Sequence, residues 1–231
     1  MNEQVSARRQ YHSPRRSEQA AATRQAVLAA AWELFVGVGY AKTTVADVAA
    51  RARVAVDTVY ATVGRKPALL RELLESALSG TGTTAPAEHR DHVRRIRAAR
   101  TAREKIALYA CAVAELQERM APVFLGLRDA AATDSECAAL WDEISQRRAT
   151  NMRLFAAELR RTGEVRDDLT DEEVADIIWS MNAAEYWVLL VHQRAWTPLR
   201  FTTWLTDAWT RLLLRQSPPC TSKIPPYTSR M

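Results

Sequence analysis

Apolar residues recur at steps of three and four along this chain, a period that an α-helix satisfies and a strand does not. Val27, Ala31, Leu34, Phe35 and Val38 form the first such stripe, which Gly37 and Gly39 then stop. A second short helix is expected from Thr44, whose spacing to Asp47 is that of a capping box, with Val45, Val48 and Ala49 facing inward. After Ala52-Arg53-Val54-Ala55 a third short helix carries Val56, Val59 and Tyr60, and Val63-Gly64-Arg65 breaks it. Pro67 stands in the first turn of a fourth, where its missing N–H does no harm, followed by Leu69, Leu70, Leu73, Leu74, Ala77 and Leu78.

The rest of the chain continues in kind. Gly80–Ala87 reads as a linker and 89–100 as a basic segment. Longer helices are expected over about 101–120, 122–131, 135–162, 170–194 and 198–215. Asp134 or Ser135 and Thr170 serve as caps and Gly163 as a stop. With 7 glycines in 231 residues and a 48% hydrophobic share, the fold class is all-α: an N-terminal three-helix helix-turn-helix domain plus a C-terminal helical domain. The expected division is a disordered basic arm at 1–18, a helix-turn-helix domain at 19–66, a helical domain at 67–216 and a disordered, proline-rich tail at 217–231.

Charge is unevenly placed. Residues 1–80 hold 11 Lys/Arg against 7 Asp/Glu and residues 81–105 hold 7 against 3, while the remainder holds 14 against 17. A basic front on a mildly acidic body suits a head that binds a polyanion. Cys111, Cys137 and Cys220 form no CxxC pair and are odd in number, so neither a disulfide framework nor a zinc site is expected. His89 and His92 lack the carboxylates or thiols that a metal centre needs. No glycine-rich phosphate loop, HExxH or nucleophile elbow is present, so neither an enzyme nor a cofactor is expected. No apolar run reaches the ~18 residues of a membrane span and no secretory signal is read at the start, so the cytoplasm is the expected compartment.

Two short helices with a tight connection, flanked by longer ones, have the layout of a helix-turn-helix. The stretch Ala26–Leu70 resembles the DNA-binding domain of the TetR family. Its marks are the helix ending Leu34-Phe35, the Gly39-Tyr40 turn, Thr43-Thr44, Val48-Ala49, Val59-Tyr60, and Lys66 followed by Leu69. Three positions depart from that pattern. Arg53 replaces the usual turn glycine, at a cost of ~1–2 kcal/mol if the backbone is left-handed. Ala55 replaces a capping serine worth roughly 1 kcal/mol, and Val63 replaces a phenylalanine.

The resemblance puts Ala55, Val56, Asp57 and Thr58 at base edges in a major groove. There Asp57 can accept from a cytosine amino group and Val56 or Thr58 can touch a thymine methyl. It puts Thr43, Tyr60, Thr62 and Lys66 at phosphates; Thr44 is a further candidate, and Arg53, near the turn, is placed to reach backbone or base. Core packing and capping are the alternative roles of Tyr60 and Thr43. Arg8, Arg9, Arg15 and Arg16 either enter a minor groove or form a solvated tail. The arginines at 90, 94, 95, 97, 100 and 103 read as a solvated face rather than a second nucleic-acid site.

In the body, Trp179–Leu214 resembles the last two helices of many TetR-type regulators, which the family uses for dimerisation. Trp187, Val191, Phe201, Trp204, Leu205, Ala208, Trp209 and Leu212 are the candidates for a homodimer interface, with intramolecular core as their alternative. Tyr109, Val113, Leu116, Met120, Phe124, Met152, Phe155, Trp179, Asn182 and Tyr186 are the candidates for a cavity taking a small hydrophobic or aromatic effector. Asn182 and Tyr186, four apart on one expected helix face, would offer it polar handles. The resemblance thus implies a TetR-type repressor that binds palindromic double-stranded operator DNA as a homodimer and is released by its ligand. The alternative is a helical interaction protein with a degenerate DNA-binding head.

Overall fold

A computed structural model describes residues 14–79 and 91–216. The expected linker, the expected tail and most of the expected arm, with Arg8 and Arg9, lie outside these residues. Within them the chain forms α1 (Pro14–Gly37), α2 (Val45–Ala52), α3 (Val56–Thr62), α4 (Lys66–Ser79), α5 (Asp91–Ala98), α6 (Ala102–Ala131), α7 (Ser135–Arg160), α8 (Asp171–Met181), α9 (Ala184–Trp187, continued by a π-helical turn Val188–Gln193) and α10 (Pro198–Leu213). No strand forms among the described residues; a single antiparallel bridge joins Val165 and Leu214. The all-α expectation holds.

The chain divides into two compact units, Met1–Ala87 with Arg119–Ser145, and Glu88–Glu118 with Gln146–Met231. This differs from a boundary at 66/67, because α4 and the stretch 119–145 group with the N-terminal helices.

In the first unit, α1 begins at Pro14, inside the arm expected at 1–18. Proline at a first helical position loses nothing, and the alanine-rich turns that follow are exposed, so propensity rather than burial carries them. Burial takes over at Val27, Ala30, Ala31 and Phe35. Gly39, at φ +95°, ends the helix by donating its N–H to the Leu34 carbonyl at 3.1 Å. The Thr44–Asp47 capping box opens α2 as expected: Asp47 N donates to Thr44 Oγ1 at 3.1 Å and Thr44 N donates to Asp47 Oδ2 at 2.8 Å. Val48, Val59, Leu69, Leu70 and Leu74 close the three-helix core, each with no exposed surface. Arg24 ties it together, donating to the Thr62 carbonyl at 2.7 Å and pairing with Glu72 at 2.5 Å.

Two expected helices are one. Pro122 lies inside α6 rather than ending it. A mid-helix proline costs about 3 kcal/mol, and burial of Met120, Ala121, Val123, Phe124 and Leu127 around it offsets that loss. Asp134 caps α7, its Oδ1 accepting from Glu136 N at 2.9 Å and Cys137 N at 3.0 Å.

In the second unit, Lys105 is 4% exposed and closes the end of α5, donating from Nζ to the Ile96 carbonyl at 2.7 Å. The helix expected over 170–194 is broken. Thr170 caps α8 with Glu173, but Asn182 ends it, Ala183 is extended, and the chain resumes as α9 with a bend of 44°. A core polar contact lies at that break: Gln117 Nε2 donates to the Asn182 carbonyl at 2.8 Å, and Arg148 Nη2 to the Trp179 carbonyl at 3.1 Å. These side chains take over carbonyls that a continuing helix would have used itself.

Candidate nucleic-acid interface and effector core

The connection between α2 and α3 sets the presentation of α3. Arg53 takes the left-handed conformation (φ 57°, ψ 44°), the geometry a glycine would adopt there. Its N–H donates to the Ala50 carbonyl at 3.2 Å, and Val54 N to Ala49 O at 3.0 Å, so the tight turn forms without glycine. Ala55 precedes α3 in an extended conformation with no side-chain cap. Val59 anchors α3 in the core, which leaves Ala55, Val56, Asp57 and Tyr60 exposed and Thr58 half-buried. Tyr60 at 48% exposure and Val56 at 38% are large apolar groups facing solvent from one short helix.

The expected phosphate contacts divide. Thr43 is 2% exposed and donates its hydroxyl to the Gly39 carbonyl at 2.9 Å, so it holds the turn and is not offered to a duplex. Thr44 is occupied by its cap, and Thr62 is half-buried with its carbonyl bound by Arg24. Lys66, at the start of α4, holds its ammonium 4.0 Å from the centre of the Tyr40 ring, and burial lowers its pKa. Tyr40 meets Phe35 edge-on at 5.1 Å, and its hydroxyl lies 3.2 Å from Cys137 Sγ. Arg53 and Arg51 are exposed. The backbone of Arg15 and Arg16 lies in the first turn of α1.

In the second unit the core is aromatic with a polar centre. The Tyr109 ring packs on Phe155 at 4.7 Å and stacks on Trp209 at 5.5 Å. Its hydroxyl donates to Met152 Sδ at 3.2 Å and accepts from Asn182 Nδ2 at 2.8 Å. Burial pushes the Tyr109 pKa up to about 12. Asn182 Oδ1 accepts from Arg148 Nη2, whose guanidinium lies 5.1 Å from the Trp179 ring centre. Val113 and Leu116 belong to the same unit.

Three expectations change here. Met120 and Phe124 belong to the first unit, where they are buried. Tyr186 does not join Asn182, because the break at 182–183 turns it to stack on Trp204 at 5.8 Å. Gln117 and Arg148 were missed, since no local pattern marks a polar residue whose partner is 31 to 65 positions away; Trp209 was read as a dimer candidate.

The dimer candidates divide as well. Trp187, Phe201, Leu205 and Trp209 are buried within the chain, at 1% exposure or less, so their intramolecular role prevails. Val191, Trp204 and Ala208 are half-buried and Leu212 is exposed. Leu189 and Leu199, 51% and 75% exposed, add apolar surface that the sequence reading did not include.

Among the described residues no group of three or more His, Cys, Asp or Glu is placed to hold a metal, and no single helix is long and apolar enough to cross a membrane.

Residues 27–73 match the profile of bacterial regulatory proteins of the TetR family. The fold is shared with solved regulators of low identity. FadR, the fatty acid degradation regulator of Bacillus halodurans, has 18% identity and a TM-score of 0.65 over 82% of this chain and 93% of its own. SmeT, solved as a complex with triclosan, has 17% identity and a TM-score of 0.64 over 85% and 93%. TylP, a TetR regulator from Streptomyces fradiae, has 20% identity and a TM-score of 0.58 over 85% and 89%. No curated protein sequence matches the chain.

Proposed function

We propose that the chain is a TetR-type transcriptional regulator that represses by binding palindromic operator DNA as a homodimer and is released by a small hydrophobic or aromatic effector. One observation carries the DNA-binding half: α3 buries Val59 and exposes Val56, Asp57 and Tyr60 beside a tight turn. Side chains of that kind on the leading turns of a recognition helix match base edges, with Val56 toward a thymine methyl and Asp57 toward a cytosine amino group. Lys66, at the N-terminal end of α4, supplies the phosphate contact.

Dimerisation follows from the need to read more base pairs than one short helix spans. Leu189, Leu199 and Leu212 on α9 and α10 are the anchors that remain available. The effector occupies the aromatic core around Tyr109, Met152, Phe155 and Trp179; SmeT, which shares the fold, is solved as a complex with triclosan. Its binding favours a state in which the two heads no longer match successive major grooves; a 100-fold release needs about 2.7 kcal/mol of differential affinity. The protein acts in the cytoplasm, on DNA, and carries out no reaction of its own.

A helical scaffold with a degenerate head is the second reading, favoured by the uncapped start of α3 at Ala55. Titrating selected DNA at several salt concentrations separates the two. A repressor loses affinity steeply with salt and prefers one sequence, whereas a scaffold shows neither behaviour.

A further inference from the structure

The second unit half-buries a guanidinium among carbonyl oxygens. Arg148 is only partly accessible, and its hydrogen bonds go to the Trp179 carbonyl at 3.1 Å and to Asn182 Oδ1, neither of them a charge. Desolvation weighs against the charge, and Tyr109 and the carboxylate of Glu185 only partly offset it. A half-buried cation hydrogen-bonded to neutral oxygens gains from an anion in their place.

Polar atoms around it are left without partners. Gln117 is 4% exposed and gives its Nε2 to the Asn182 carbonyl, while its buried Oε1 has no partner among the protein atoms. The buried Nε1–H groups of Trp179 and Trp209 have none either. Trp179 lies under Arg148, and Trp209 stacks on Tyr109, the residue that Asn182 binds. Buried polar groups are nearly always satisfied, so two unmet donors and one unmet acceptor around a single cluster mark a place for a polar guest. The backbone is irregular at the same point, broken at Asn182–Ala183 and π-helical over Val188–Gln193.

Resting on the effector reading above, we propose that the effector is an organic acid, an apolar body bearing a carboxylate, and that Arg148 is its anchor. The guanidinium fork turns from the end of α8 to the carboxylate, which it binds bidentately. The indole N–H of Trp179 is the further donor, and Tyr109, Phe155 and Met152 pack against the apolar body. Leaving the Trp179 and Asn182 carbonyl oxygens unmet loosens the bend between α8 and α9. Helix α9 carries Leu189 of the proposed dimer face, so the exchange at Arg148 reaches that face through one helix.

The test uses the full-length protein and four acids, benzoate, phenylacetate, 3-phenylpropionate and hexanoate, each beside its primary amide. Binding is read by thermal shift and by quenching of tryptophan fluorescence. At least one acid should bind about tenfold or more tighter than its amide, the free energy of one charge-assisted bond. That preference should vanish in Arg148→Gln and shrink in Arg148→Lys, which keeps the charge without the fork. Circular dichroism shows that both variants remain folded. Amides binding as well as acids, acids binding Arg148→Gln undiminished, or no acid binding at all would each overturn the proposal. An amide that binds and strips the protein from DNA sinks the organic acid but leaves the repressor reading standing; a protein that never holds specific DNA sinks that reading instead.

Discussion

Lys66 and Tyr40 form a cation–π pair, the ammonium 4.0 Å from the ring centre, beside the bond between the Tyr40 hydroxyl and Cys137. The pair fixes a cation at the first residue of α4, where the helix field disfavours a cation and favours an anion. A phosphate at that spot meets both the helix end and the ammonium. Lys66→Ala should therefore weaken DNA binding about equally for all sequences and reduce the slope of log affinity against log salt by about 1. An unchanged slope would remove Lys66 from the interface.

Arg53 holds a left-handed backbone with a side chain that gains nothing from it. Arg53→Gly relieves ~1–2 kcal/mol of strain and gives back about half to chain entropy, for a net stabilisation of about 0.5–1 kcal/mol. Denaturant unfolding measures it. If Arg53 also touches DNA, the more stable variant binds DNA more weakly, and the two effects separate in one pair of titrations.

Helix caps make the protein sensitive to acid. Hydrogen bonds from Thr44 lower the Asp47 pKa below its ordinary 3.8, and those from Thr170 lower that of Glu173 below 4.5. The unfolded chain keeps the ordinary values and so binds more protons at low pH. The stabilisation from both carboxylates is thus complete above those values and is lost as pH falls through the lowered ones. Thr44→Ala should cost about 1 kcal/mol near neutrality, and its difference from wild type should shrink below pH 4. Unfolding curves across that range check the sign.

The caps were also the most legible part of the fold. Thr44–Asp47, Thr170 and Gly39 act within a few residues, so their spacing alone predicts their structure. The start of α1 at Pro14 was missed because exposed alanines have helix propensity but no apolar period. The expected division into 101–120 and 122–131 fails because a local rule cannot weigh the buried side chains that carry α6 through Pro122. The break at Asn182 was invisible for a related reason: Gln117 and Arg148, which meet its carbonyls, are distant in sequence. Of the residues proposed to read DNA, Val56, Asp57 and Tyr60 are exposed, whereas Thr43 faces inward. The effector candidates were legible as apolar residues but not as a set, because the period of a helix shows which face is buried and not what lies opposite.

Asn182 connects Tyr109, Met152, Arg148 and Gln117. Asn182→Ala strands the Tyr109 and Arg148 groups at a cost of about 1–3 kcal/mol, read by chemical denaturation. A cost near zero would mean that water already serves the cluster.

Leu199, 75% exposed in the protomer, tests the dimer. Leu199→Asp should move the sedimentation coefficient toward the monomer and lower DNA affinity together, without loss of helix content.

The most direct test is selection of bound fragments from random DNA by the purified protein at physiological salt, with the stoichiometry of the winners measured. The account predicts one inverted repeat, bound by two chains, whose half-sites change preference when Asp57 or Val56 is replaced. Sequence-indifferent binding by single chains, unchanged by either substitution, would contradict it.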